Sequence, residues 1–306
     1  MKISGSRSNA GVLRIPAGED SSAVSNCWLS GNYYSTAGNP GGGFSAGLVT
    51  HSLFSGNSCN YGPVVSAEGT AKIRNCIFTG NYIKSDGVAQ NRLGVVQLAG
   101  SAVFENNTVY GNYSAKTANS EHHSAGLYVP SGSPAIRNNI VSYNFIHGAI
   151  GSETAVESNY LCKDGATPVA THNASGEGFG EAAVTERPVF ANLDMSLAAE
   201  KRDFTLAENS SCIDRGVAID WLADAIDYAG KRRVQGWAVD IGACEADGKT
   251  LFFDIAAQAN VVTGAQSVAF AVTGDTAYIP QNADIRWFVD GEEAEARGAS
   301  VSLPKY

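Results

Sequence analysis

The stretch NCWLSGN (26–32) returns as HSLFSGN (51–57), NCIFTGN (75–81), NNTVYGN (106–112) and NNIVSYN (138–144). The closing Asn falls at 32, 57, 81, 112 and 144, in steps of 25, 24, 31 and 32. A period in the twenties with occasional insertions is the mark of a stacked repeat. Within each phrase apolar residues alternate, which is the period of a strand and not of a helix.

Two columns follow from that alternation. Two residues before each phrase stand Val24, Val49, Ile73, Phe104 and Ile136; three residues into it stand Leu29, Phe54, Phe78, Val109 and Val141. Both read as inward files of large apolar side chains. Between them run Cys27, Ser52, Cys76, Asn107 and Asn139. Val156 with Asn159, Tyr160 and Cys162 fits the phase of one further turn, and GVLRIPAG (11–18) matches GLYVPSG (126–132), which extends the repeat upstream. Coils of this length, paired one on the next at about 4.8 Å, place like residues in ladders. The expected fold is therefore all-β: a right-handed parallel β-helix, a pectate-lyase-like solenoid. Asn32, Asn57, Asn81, Asn112 and Asn144 are expected to form a structural ladder at one corner, each amide bonding to its neighbours and to turn backbone.

Composition agrees. The 306 residues include 34 Gly and only 17% charged residues, which suits short strands and tight turns. A net charge of −9 argues against nucleic acid as a partner and disfavours polyanionic sugars. No run approaches the roughly 20 apolar residues of a membrane span. The start, MKISGSRSNAGV, lacks the apolar core of a secretory signal. The six Cys form no CxxC pair, so no zinc site is expected.

Three outward columns carry the functional alternatives. Ser25, Thr50, Arg74, Glu105, Arg137 and Glu157 end in alternating charge and read as a surface ion-pair ladder. If the protein is an enzyme, Glu105, Arg137 and Glu157 are the catalytic candidates, with the carboxylates about 9.6 Å apart, near the upper limit of an inverting glycosidase pair. Trp28, Leu53, Ile77, Thr108 and Ile140 should face outward yet are almost wholly apolar, so something must cover them. The C-terminal part of the same chain is the first choice of cover, and a partner protein the second. Tyr33, Ser58, Tyr82, Tyr113 and Phe145 form the third column, a stack on which sugar rings could pack or which serves stability alone. Glu121, His122 and His123, in the inserted loop 113–125, complete the ligand-binding candidates without completing a metal-ligand set.

Further on, PVF (188–190), DFTLAENSSCIDRG (203–216) and VDIGACE (239–245) resemble the segment that closes bacterial β-helix surface proteins with a choice-of-anchor Q region. Members of that family read like DFRL…SPCIDAG and VDIGAYE. The resemblance spans roughly residues 10–246 and implies a pectate-lyase-like fold, export and attachment to the cell surface. Cys244 stands where Tyr is usual, which leaves open a disulfide with Cys212 in an oxidising compartment. Residues 248–306 change to short alternating strands and look like a bacterial immunoglobulin-like domain of the PKD type, with Trp287 in the central strand and Asp290-Gly291 in its turn. That domain is a small β-sandwich with too few strands to be complete. The expected division is thus 1–247 as β-helix, including a closing segment at 187–247, and 248–306 as the second domain. The chain reads as part of a longer exported, monomeric protein.

The expected function is a non-catalytic cell-surface rod or adhesin that contacts glycan or a host ligand. The rivals are a polysaccharide lyase or glycoside hydrolase, and a passive stalk. Calcium-dependent lyase chemistry needs clustered acidic ligands on a sheet face. Residues 1–164 offer only Asp20, Asp86 and Asp164, all in loops or turns, so no cofactor is expected and calcium has no motif behind it. Asp214, Asp220, Asp224, Asp227 and Asp240 in the closing segment are read as turn caps.

Overall fold

A computed structural model describes residues 1–5, 7–8, 13–14, 23–34, 44–45, 47–60, 63–84, 94–115, 124–146, 153–247, 253–257, 268–274, 285–289, 292–298 and 300–303. The chain divides into two compact units, Met1–Gly248 and Lys249–Tyr306.

The larger unit is built from four sheets that the chain visits in turn. Sheet I takes Trp28–Ser30, Leu53–Ser55, Ile77–Thr79, Thr108–Tyr110 and Ile140–Ser142, with Lys2–Ser4 at its edge. Sheet II follows each of these with Arg7–Ser8, Tyr33–Tyr34, Ser58–Cys59, Tyr82–Ile83, Tyr113–Ser114 and Phe145–Ile146. Sheet III runs from Leu13–Arg14 to Tyr160–Cys162, and sheet IV from Ala23–Ser25 to Val169–Thr171. Pairing in all four is parallel apart from one added strand, an arrangement compatible with a β-helix.

The register stacks like on like. Val24, Val49, Ile73, Phe104 and Ile136 are successive partners in sheet IV, and Leu29, Phe54, Phe78, Val109 and Val141 in sheet I. All ten are buried in one apolar cluster, where Phe54 and Phe78 stack at 4.7 Å. Each such side chain contributes roughly 1.5–3 kcal/mol by leaving water.

The seven-residue phrase encodes two corners around a three-residue strand. Its first residue is left-handed in every circuit, with φ of 52° at Asn26, 47° at His51, 51° at Asn75, 54° at Asn106 and 58° at Asn138. Asn tolerates this region better than most side chains. Its sixth residue is left-handed too, which explains Gly at 31, 56, 80 and 111; Tyr143 holds the same conformation at φ 58°. The closing Asn is the ladder. Asn32, Asn57, Asn81, Asn112 and Asn144 are fully buried, and each Nδ2 donates to the next Oδ1 at 2.9–3.1 Å, ending on Asn159. Each Oδ1 from Asn57 to Asn159 also accepts the backbone N–H of the Asn one rung before it. The second Nδ2 hydrogen of Asn57, Asn81, Asn112 and Asn144 goes to a carbonyl one circuit back, such as Leu29 O for Asn57. These amides are thereby satisfied on both donor and acceptor sides.

A second ladder runs along the next corner. Asn107 Nδ2 donates to Asn139 Oδ1 and Asn139 to Asn173, while Ser52 and Cys76 fill the earlier rungs.

The structure alters the sequence reading at its C-terminal end. The partner of Ile136 is Ala170, not Val156, and the partner of Arg137 is Thr171, not Glu157. Val156–Glu157 instead runs antiparallel to Phe145–Ile146 in sheet II. Tyr160–Cys162 joins sheet III beside Leu127–Val129. The final circuit, through HNAS (172–175), lacks the large apolar residue and the closing Asn of the other phrases, so the periodic signal faded before the fold did.

The smaller unit holds an antiparallel sheet of Phe253–Ala257, Val268–Gly274 and Ser300–Leu303, and an antiparallel pair of Arg286–Val289 with Glu292–Arg297. Trp287 is buried and its Nε1 donates to Gly298 O at 2.9 Å; Asp290-Gly291 lies outside the described residues. Among the described residues no helix is long and apolar enough to cross a membrane.

Candidate functional site

Sheet I turns its apolar column outward, and residues 187–247 cover it. Leu53 and Ile77 pack with Phe204, Ala243 and Cys244; Ile140 packs with Leu206, Cys212 and Ile241. Thr108 Oγ1 accepts the N–H of Ala243 at 3.0 Å. The first residues of the phrases hold the same segment by its backbone. Asn75 Nδ2 donates to Ile226 O at 2.8 Å, Asn106 Nδ2 to Asp240 O at 3.3 Å and Asn138 Nδ2 to Val217 O at 2.9 Å. Left-handed Asn thus does two jobs, turning the chain and presenting an amide to the cover. In the first circuit Trp28 is half-buried against the same cluster, and Lys2 Nζ lies 3.9 Å from its ring.

VDIGACE closes the segment on itself. Arg233 and Glu245 are buried and lie 3.1 Å apart, and Arg233 Nη2 also donates to the carbonyls of Asp240 and Gly242. Asp240 accepts the N–H groups of Asp214 and Ala246, and Asp227 those of Lys231 and Glu245. The Asp residues therefore cap turns. Burial pushes the Asp240 carboxyl up to about 6 and that of Glu245 up to about 9, against the opposing pull of Arg233. Among the described residues no three His, Cys, Asp or Glu gather into a group able to hold a metal ion.

The two carboxylates considered for catalysis, Glu105 and Glu157, lie in different sheets. Glu105 is fully buried, with Arg74 Nε 3.0 Å from Oε2 and Arg137 Nη2 2.5 Å from Oε1; the second contact is an ion pair without hydrogen-bond alignment. Trp221, 116 residues along, donates its Nε1 to Glu105 Oε2 at 2.7 Å, while the Arg74 guanidinium lies 4.6 Å from the indole ring. What the sequence presented as a surface ion-pair ladder is a cluster around a fully buried Glu105, with Arg74 and Arg137 keeping partial solvent access. Glu157 is in another sheet. It accepts Tyr143 N at 2.7 Å and Asn159 Nδ2 at 3.0 Å, and pairs with Arg187. It caps the last rung of the Asn ladder, where a negative charge meets the donor end of aligned amides. Glu177 Oε1 accepts Asn159 N beside it, and burial raises its pKa. Glu105, Arg137 and Glu157 do not converge on one column.

Cys212 and Cys244 are free thiols in separate clusters, so the bond left open by their resemblance-based pairing is absent. Cys27 and Cys76 are also free. Burial pushes the thiols of Cys76 and Cys212 up to about 12.

Sheet II is different. Tyr33, Ser58, Tyr82, Tyr113 and Phe145 are successive partners in register. Tyr82 and Tyr113 stack at 4.3 Å with planes 20° apart, so the faces they share are spent on each other. Burial, and then Tyr82, raise the pKa of Tyr113. Tyr33 is set apart by Ser58, and its hydroxyl accepts Asn60 Nδ2 at 2.7 Å. Among the described residues no hydrogen bond, ion pair or ring contact ties residues 187–247 to Tyr33, Tyr82 or Tyr113. Glu121, His122 and His123 lie outside the described residues.

No protein-family model matches the chain, and no curated protein matches it. The likeness to choice-of-anchor Q proteins rests on the residues quoted for it.

Proposed function

We propose that the chain is a right-handed parallel β-helix of the pectate-lyase-like kind, closed by residues 187–247 and followed by an immunoglobulin-like unit of the PKD type. It works as a non-catalytic, exported rod at the cell surface, binding glycan along sheet II. The observation that carries this reading is the Tyr82–Tyr113 stack, to which no hydrogen bond, ion pair or ring contact ties residues 187–247 among the described residues. Aromatic planes fixed by stacking offer sugar rings an apolar surface at little entropic cost. The burial of Glu105 under Trp221 weighs against a lyase or hydrolase at sheet IV. The closing motifs support the surface location through their resemblance alone.

The test is a glycan array probed with the full chain and with Tyr82→Ala/Tyr113→Ala. Binding by the parent that the double variant loses supports the platform. Binding that survives the double substitution removes it, and no binding by the parent leaves a stalk. Release of unsaturated or new reducing ends, abolished by Glu105→Gln, would replace the whole reading with an enzyme.

A further inference from the structure

Residues 194–202 lie across the corner between sheets I and II, and a single thioether seats them there. Gly80 and Gly111 make the left-handed turn of that corner in neighbouring circuits, with φ of 64° and 70°. Each lacks a Cβ, and the closing segment takes the space. Ala199 Cβ stands 2.9 Å from where a Cβ on Gly80 would be, and the Met195 methyl occupies the corresponding place at Gly111, with its sulfur 3.6 Å away. Arg202 ties this strap down. Its Nη1 donates to Thr79 Oγ1 at 2.9 Å, its Nη2 to Met195 O at 3.2 Å and its Nε to Leu197 O at 3.2 Å.

The seat suits a thioether and not its oxide. Met is unbranched and apolar and fills such hollows well, whereas the sulfoxide is larger, polar and chiral. A new oxygen on Met195 would find the nearby donors engaged. The Gly111 N–H already donates to Tyr143 O at 3.1 Å, and each nitrogen of Arg202 donates elsewhere. Met195 is half-buried, so a small oxidant can reach it. Cys76, Cys212 and Cys244 are buried thiols, the inert kind. The chain has one other Met, the exposed Met1, which serves as an internal standard.

We propose that Met195 is an oxidation site for a peroxide, and that its sulfoxide releases the 194–202 strap from the Gly80–Gly111 corner. The sulfur gives up two electrons, the peroxide O–O bond breaks, one oxygen stays on sulfur and the other leaves as water. The cover that begins at Phe204 stays in place, because it packs on Leu53 and Ile77 and not on the two glycines. Gly80 and Gly111 stand two residues before Tyr82 and Tyr113, so the release acts at the rim of sheet II, whatever that sheet binds.

The test treats the full chain with hydrogen peroxide, counts sulfoxide at Met1 and Met195 by peptide mass spectrometry, and times trypsin cleavage after Arg202. Met195 should oxidise in the folded chain, more slowly than Met1. Cleavage after Arg202 should become at least about fivefold faster in step with Met195 sulfoxide, since cleavage tracks the population of the opened form. Methionine sulfoxide reductase should restore the parent rate, Met195→Leu should not respond to peroxide, and Met195→Gln should be cleaved fast without it. Acceleration that persists in Met195→Leu, or Met195 sulfoxide with unchanged cleavage, overturns the proposal. So does a Met195 that oxidises only in denaturant, or a loss of far-ultraviolet circular dichroism on oxidation, which would mean unfolding of the whole unit.

Discussion

Sheets I and II follow one another in every circuit, share the same ladder corner, and have opposite fates. Sheet I carries Leu53, Ile77, Thr108 and Ile140 outward and is sealed by sixty residues from the far end of the unit. Sheet II carries Tyr33, Tyr82 and Tyr113 outward, and the closing segment meets it at its edge strand, through the Arg187–Glu157 ion pair. The difference lies in side-chain chemistry. Aliphatic side chains have no polar tip and gain most from complete burial, whereas Tyr can stack, stay half-buried and keep its hydroxyl in water. A repeat can therefore assign one face to structure and the next to recognition without altering its backbone.

The strongest way to break the comparison is to break the corner that both sheets share. Asn81→Ala removes an amide that accepts from Asn57 twice and donates to Phe54 O and to Asn112. Several buried groups lose their partners, at about 1–3 kcal/mol each. Chemical denaturation should show a loss of at least ~3 kcal/mol, felt on both faces.

Glu105→Gln should disturb the covered side alone. It removes the charge between Arg74 and Arg137, which keep partial solvent access, so the expected cost is ~2 kcal/mol rather than that of a fully buried pair. The readouts are denaturation and Trp221 fluorescence, with glycan affinity unchanged.

The closing segment also gives the covered side a pH signature. The Asp240 carboxyl is raised by burial to about 6 from an ordinary 3.8, so the folded state keeps its proton longer than the unfolded chain. Its contribution to stability is full below the ordinary value and declines as pH rises through about 6. Denaturation at a series of pH values should show this downward slope, and Asp240→Asn should reduce it below about pH 6 while leaving the part that Glu245, raised to about 9, contributes.

The smallest effect is expected on the open side. Tyr82→Ala/Tyr113→Ala should cost only about 1 kcal/mol of stability, because one stacked pair is lost from a half-exposed column. Its effect on ligand binding should be complete.

Much of this architecture was legible in the sequence because stacking turns register into repetition. The two inward columns, the Asn ladder and the need for a cover over sheet I all follow from residues one period apart. What escaped depends on contacts the period does not encode. The Trp221–Glu105 hydrogen bond spans 116 residues, and nothing local announces that a ladder of charges will be roofed by an indole. The role of Asn75, Asn106 and Asn138 as amide clamps was hidden because the same residues are explained by the turn they make. Glu157 was placed in sheet IV instead of sheet II because Val156 matched the phase, although it belongs to an antiparallel edge strand. On sheet II the column was legible but its inequality was not. The Lys84 ammonium comes 4.8 Å from the Tyr33 ring centre, a contact between circuits that the period does not encode.

The most direct test is one affinity measured twice, with damage placed on each face in turn. The tightest ligand from the glycan array is titrated against Phe204→Ala, which opens the cover over Leu53 and Ile77 of sheet I, and against Tyr82→Ala/Tyr113→Ala, which strips sheet II. Division of labour between the sheets predicts an unchanged dissociation constant for the first and no measurable binding for the second. Loss of binding in Phe204→Ala with retention in the Tyr variant, both folded, would contradict it.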